Sequence, residues 1–218
     1  MAKDMGKGKG KDKERVLTKA EQERLDQFET TCQEMTSQGY RKVDLVINMF
    51  RANVIAVIAL IVLFAALIPL FRMVHPGTGI HLSGKEFIIF LIVFLVLIFA
   101  HELVHGLSWA CFTPQGFKDV AFGVMRDSLT PYCTCRVPLK KGPYLVGALM
   151  PLTVFGIIPI AVSFCTGYPP LLYLGIIMTI AAAGDVMIAI KVLGHKSGTD
   201  DVLLYDHPTE AGSVIFER

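Results

Sequence analysis

Four stretches of this 218-residue chain are apolar for about as long as a helix needs to cross the hydrocarbon of a bilayer, roughly 20 residues. They run over 52–71, 87–110, 144–165 and 171–193. A hydrophobic share of 53% agrees, and the expected fold class is an all-α membrane protein with about four transmembrane helices. The third and fourth stretches are joined by 166–170 alone, which makes them an antiparallel pair. The first begins about fifty residues in and is too long for the apolar core of a cleavable signal peptide, so it is expected to remain as a span.

Charge sets the expected orientation. Of the 21 Lys and Arg, eleven precede the first span, two lie between spans one and two, five between spans two and three, and three at or beyond the end of the fourth. None lies in the turn between spans three and four. The positive-inside rule then places both termini and the 113–143 loop in the cytosol. The net charge of +2 gives no basis for a nucleic-acid partner; the expected partners are the lipid bilayer and a membrane-protein or peptide substrate. The oligomeric state is not legible. Of the five cysteines, Cys32, Cys133 and Cys135 fall on the expected cytosolic side, while Cys111 and Cys165 lie near span ends. An odd count, mostly in a reducing compartment, argues against a disulfide framework.

Residues 1–15, rich in Lys and Gly, read as a disordered basic tail. Residues 16–50 read as a cytosolic helix and connector. Thr18 with Glu21 forms a capping box, Leu25, Phe28, Cys32 and Met35 make an apolar stripe, and Gly39 suits the C-terminal stop; the helix is expected to dock on the cytosolic face of the bundle. A four-span transmembrane domain follows over 51–196. Within its 113–141 loop, 120–125, a polar turn at 126–128 and 132–139 predict a small cytosolic β-hairpin between spans two and three. Residues 197–218 read as a cytosolic C-terminal tail.

His101-Glu102-Leu103-Val104-His105 sits in the second half of the second apolar stretch. On a helix this spacing puts two imidazoles on one face, within reach of a single Zn²⁺, with Glu102 placed to act as general base. Ionisable groups are costly in hydrocarbon and are kept there mainly for function. A histidine pair bonded to backbone carbonyls, or an axial haem pair, leaves Glu102 unexplained. Membrane di-iron enzymes need several histidine clusters, and this chain has six His in all.

Two histidines do not complete a catalytic zinc site, which takes three protein ligands and an open position. One soluble layout needs Gly at 108 and His at 111, where this chain has Ser108 and Cys111; a helix continuing past His105 points Cys111 elsewhere. A second needs a downstream Glu, and the next after Glu102 is Glu210. The remaining candidate is Asp185. His101 and His105 lie 14 and 18 residues into span two and Asp185 lies 14 into span four. At about 1.5 Å per residue all three are roughly 20 Å down. The small residues 181–184 would let the two helices approach closely. An interhelical polar contact or a proton-relay role for Asp185 stays open.

His101 to Gly106 at the end of one span, Gly184-Asp185 in a later one, Thr130-Pro131-Tyr132-Cys133-Thr134-Cys135 in the loop and Asp206-His207-Pro208-Thr209-Glu210 in the tail together resemble the bacterial putative zincin peptidases over about residues 40–218. Those are small membrane proteins similar in layout to site-2 proteases. The resemblance implies that His101, His105 and Asp185 bind Zn²⁺, that Glu102 is the catalytic base, and that the protein lies in a bacterial inner membrane. It departs from the site-2 protease pattern of Asn and Asp-Gly motifs near the metal: Gly184 precedes Asp185, Val186 follows it, and spans two to four contain no Asn.

The function expected is therefore zinc-dependent hydrolysis of peptide bonds of membrane proteins, within or next to the bilayer. The alternative is a non-catalytic zinc-binding scaffold or regulator, for which Glu102 has no use. The hairpin is expected to offer a strand edge to substrate. Pro151 and Pro159 with Gly147 and Gly156 are expected to kink span three. Cys133 and Cys135 share one face of a strand. Their readings are ordinary reduced thiols, a second metal contact, redox control, or a loop lying over the site.

Overall fold

The apolar stretches fold as helices whose ends carry their own signals. In a computed structural model that describes residues 18–78, 83–125 and 130–218, Asn48 caps α2 (Met49–Val74) by accepting the Arg51 N–H at 3.0 Å. Ser83 and Glu86 form a capping box that opens α3 (Gly84–Ala110). These helices run 26 and 27 residues, long enough to cross a bilayer, and almost nothing along their apolar windows is buried within the chain. The expected tail over 1–15 and the turn at 126–128 lie outside the described residues.

The third apolar stretch begins as α4 (Lys141–Pro151), passes through a π-helical segment (Leu152–Ile157) directly after Pro151, and continues as α5 (Ile158–Thr166). Lys141–Thr166 stays one continuous helical segment, with the π-helical turn set where Pro151 removes a backbone donor and loosens the ladder. Gly167 at φ +73° turns the chain into the fourth stretch.

That stretch is not one helix. It is α6 (Pro169–Ala181) and α7 (Ala183–Gly194), bent by 50° at a break around Ala182. Counting the bent pair as one span, four segments among the described residues are long and apolar enough to cross a membrane. The break puts Asp185 in the first turn of α7, where a helix N-terminus favours a carboxylate. Of the small residues here Gly184 does not serve the close helix approach expected of it, since a Cβ there would meet nothing within 4 Å, whereas Ala182 is fully buried. The tight approach lies at Gly147 of α4, where a Cβ would come 2.0 Å from Trp109 Nε1 of α3.

The described residues are mostly helical, as expected, but the all-α expectation with one small hairpin is corrected by a second antiparallel sheet. The predicted hairpin is present as β2 (Val120–Met125) and β3 (Thr130–Cys135), with Phe122 opposite Cys133. It packs on the second half of α3, where Gly106 leaves room for Phe122. A four-stranded sheet is new, in the order β1 (Arg41–Val46), β6 (Gly212–Glu217), β5 (Val202–Asp206), β4 (Leu139–Lys140). It takes up both the connector and the expected C-terminal tail.

Every residue of β6 is buried, because both faces of the sheet are covered. On one face Phe28 and Met35 of α1 (Lys19–Ser37) pack on Tyr205, Val214 and Phe216. On the other, Leu204 and Ile215 join Trp109, Tyr144 and Val192. The α1 capping box is present as predicted, but the helix docks on this sheet, since its apolar stripe meets apolar β5 and β6 side chains. Gly212 is required where β6 crosses β1, since a Cβ there would meet Leu45 O at 2.5 Å.

Candidate metal centre

His101 and His105 lie one turn apart near the end of α3, both buried, with ring centroids 4.8 Å apart. Asp185 reaches them from the start of α7. His101 Nε2 is 3.2 Å from Asp185 Oδ2, His105 Nε2 is 3.5 Å from the same oxygen, and the two Nε2 atoms are 3.2 Å apart. The three atoms form a nearly equilateral triangle. Ligands about 2.0–2.1 Å from a tetrahedral zinc are separated by roughly 3.4 Å, so the donor set and its spacing fit that ion.

Proton bookkeeping points the same way. His105 Nδ1 donates its hydrogen to the Gly147 carbonyl at 2.9 Å, which leaves the Nε2 lone pair facing the cluster. His101 Nδ1 is buried with no hydrogen-bond partner among the described residues, and its Nε2 faces Asp185 Oδ2. Two imidazole Nε2 atoms and a carboxylate oxygen thus converge, an arrangement that a shared cation, or a proton between them, would satisfy.

Glu102, one residue on from His101, faces a cavity of about 560 Å³ that His105 and Asp185 also line. The backbone N–H of Cys133 in β3 donates to its carboxylate. The cavity extends past Tyr132 of β3 and Arg24 of α1 to His207 in the β5–β6 turn. The guanidinium of Arg24 lies over the Tyr132 ring at 4.3 Å.

Sequence reasoning brought together His101, His105, Asp185 and Glu102; the structure places Glu102 on a cavity that His105 and Asp185 also line, and clusters those two ligand groups with His101. Among the described residues this is the only grouping of three or more His, Cys, Asp or Glu with metal-ligand spacing. Cys133 and Cys135 are not in it. Cys133 lines the cavity wall, whereas Cys135 is in the core and donates to the Val137 carbonyl at 3.3 Å. Burial pushes both thiols up, Cys135 to about 12, so they stay protonated at neutral pH. All five cysteines are free.

Two side chains of the cavity wall carried no role in the sequence. Tyr144, the first residue of the third apolar stretch, donates its hydroxyl to Asp206 at 2.7 Å. Asp206 also accepts the Cys135 N–H at 2.8 Å. Burial pushes the Asp206 carboxyl up against the pull of these bonds. The only signal was Asp206 at the head of the tail motif.

A helical protein with a buried His-His-Asp cluster and a carboxylate beside it has the donor set of a zinc hydrolase. Residues 94–199 match the family model described as "Putative zincin peptidase", which supports that family for this chain. No curated protein and no solved structure matches the chain.

Proposed function

We propose that this protein is a zinc metalloendopeptidase held in a bilayer, similar to site-2 proteases, which hydrolyses peptide bonds of membrane proteins within or next to the membrane. The triangle of His101, His105 and Asp185 ligand atoms carries this reading. A Zn²⁺ held by those residues would supply Lewis acidity, polarising the scissile carbonyl and making water acidic enough to attack near neutral pH.

Glu102 is the general base in this reading. It takes a proton from the attacking water and passes it to the leaving amine. Its bond from the Cys133 N–H orients the carboxylate toward the cavity. A helical substrate satisfies its own backbone, so it must unwind before attack. Strand β3 pairs with β2 alone, and its residues 131–134 line the cavity, where an extended segment can lie beside them. The Lys and Arg distribution supports cytosolic termini, and the family resemblance a bacterial inner membrane.

A purely structural zinc site has no use for a carboxylate at the position of Glu102, which argues against the scaffold alternative. In a strain carrying Glu102→Gln, membrane proteins that are normally cut should accumulate at full length. A membrane proteome unchanged from wild type would contradict the assignment.

A further inference from the structure

Asp206 closes β5, outside the segment that the family model covers, and is not one of the three clustered ligand groups. Its two oxygens serve different elements. Oδ1 accepts the Tyr144 hydroxyl at 2.7 Å, Oδ2 accepts the Cys135 N–H at 2.8 Å, and the Thr134 side chain adds a further bond.

Each arm leads to the centre. Tyr144 stacks on Trp109 at 5.9 Å and 26°, and its backbone carbonyl accepts the Trp109 Nε1–H at 3.2 Å. Trp109 in turn stacks on His105 at 5.2 Å and 15°. The row of rings therefore runs from Asp206 to one proposed ligand. Along the other arm, Cys135 lies two residues beyond Cys133, whose N–H meets Glu102. One carboxylate thus braces both the face behind His105 and the strand that orients the proposed base.

A half-buried carboxylate bonded on both oxygens is a poor way merely to stabilise a fold, since apolar residues of similar volume often serve as well. Asp206 lines the same cavity as Glu102, His105 and Asp185. An apolar side chain there would satisfy neither arm. We propose that Asp206 is a positioning residue of the zinc centre, acting through Tyr144 and Trp109 on His105 and through β3 on Glu102, so that the C-terminal sheet is part of the catalytic unit. The proposal rests on the zinc-peptidase reading. Partners that orient metal ligands are typically worth about 10–100-fold in metal affinity or activity.

Trp109 is the only tryptophan in the chain, so its fluorescence reports on this row of rings alone. The test uses the full-length protein in detergent, stripped of metal and titrated with Zn²⁺ against a chromophoric chelator while Trp109 emission is followed. Asp206→Ala should weaken zinc binding about 10–100-fold and shift the emission before any zinc is added. Tyr144→Phe, which breaks only the His105 arm, should move both readouts in the same direction by less. Asp206→Asn keeps one accepting oxygen and should fall between wild type and Asp206→Ala. If Asp206→Ala does not fold, the other two variants decide. Affinities within about twofold of wild type, with unchanged emission, would overturn the proposal while leaving the zinc-peptidase reading intact. A wild-type chain that binds no Zn²⁺ would overturn that reading itself, and this proposal with it.

Discussion

His101 Nε2 and Asp185 Oδ2 lie 3.2 Å apart although 84 positions separate them in sequence. The contact depends on the bend at Ala182, which ends α6 and presents Asp185 on the first turn of α7. With His105 it defines the place where a cation belongs, and the composition of that shell is open to direct measurement.

Zinc K-edge X-ray absorption of the full-length protein should show only nitrogen and oxygen neighbours at about 2.0–2.1 Å, with an imidazole pattern behind them. Asp185→Ala should lower the zinc content, whereas Cys133→Ala and Cys135→Ala should leave it unchanged. A sulfur neighbour at about 2.3 Å would instead put the Cys133-Cys135 strand in the metal shell.

The close packing of α3 on α4 makes two glycines behave oppositely. Gly147→Ala forces a methyl group into Trp109 and displaces the carbonyl that holds His105 Nδ1. It should cost about 1–3 kcal/mol. Gly184→Ala meets open space, and alanine is the better helix former by about 0.5–1 kcal/mol. Thermal unfolding in detergent should separate the two. Equal effects would contradict this account of where the helices touch.

Much of this was legible in the sequence, and the reasons differ by element. The apolar stretches announce themselves because each is long and uninterrupted, and the two histidines share a helix face by spacing alone. Asp185 could be paired with them because depth in a span is a one-dimensional quantity. The bend at Ala182 has no such signature, since three alanines and a glycine permit a straight helix as readily as a broken one. The four-stranded sheet was hidden for another reason. β5 and β6 are short, and β6 is buried throughout because both its faces are covered, so its Val214-Ile215-Phe216 run lacks the alternation of a half-exposed strand. Its partner β1 lies near the opposite end of the chain, as the pairing of Arg41 with Glu217 shows. Asp206 could be noticed in the tail motif, but its role needed that sheet.

The sheet's last residue carries a pH signature. Hydrogen bonds from His195, Ser197 and Arg41 hold the buried Glu217 carboxyl down to about 2. In the unfolded chain a glutamate titrates near about 4.3. A depressed folded-state value means that the stabilisation is present above the unfolded value and is lost as pH falls through the folded one. Thermal stability should therefore decline as pH drops from about 4.3 toward 2, and Glu217→Gln should flatten this decline. An identical acid profile in the variant would remove Glu217 as its cause.

The central claim is that Glu102 supplies proton transfer at a zinc centre it does not build. The most direct measurement is hydrolysis by purified, zinc-loaded Glu102→Gln protein of a membrane protein that accumulates in the mutant strain. The account predicts a full complement of zinc and no cleavage where the wild type cuts. Cleavage by the variant at the wild-type rate would contradict it.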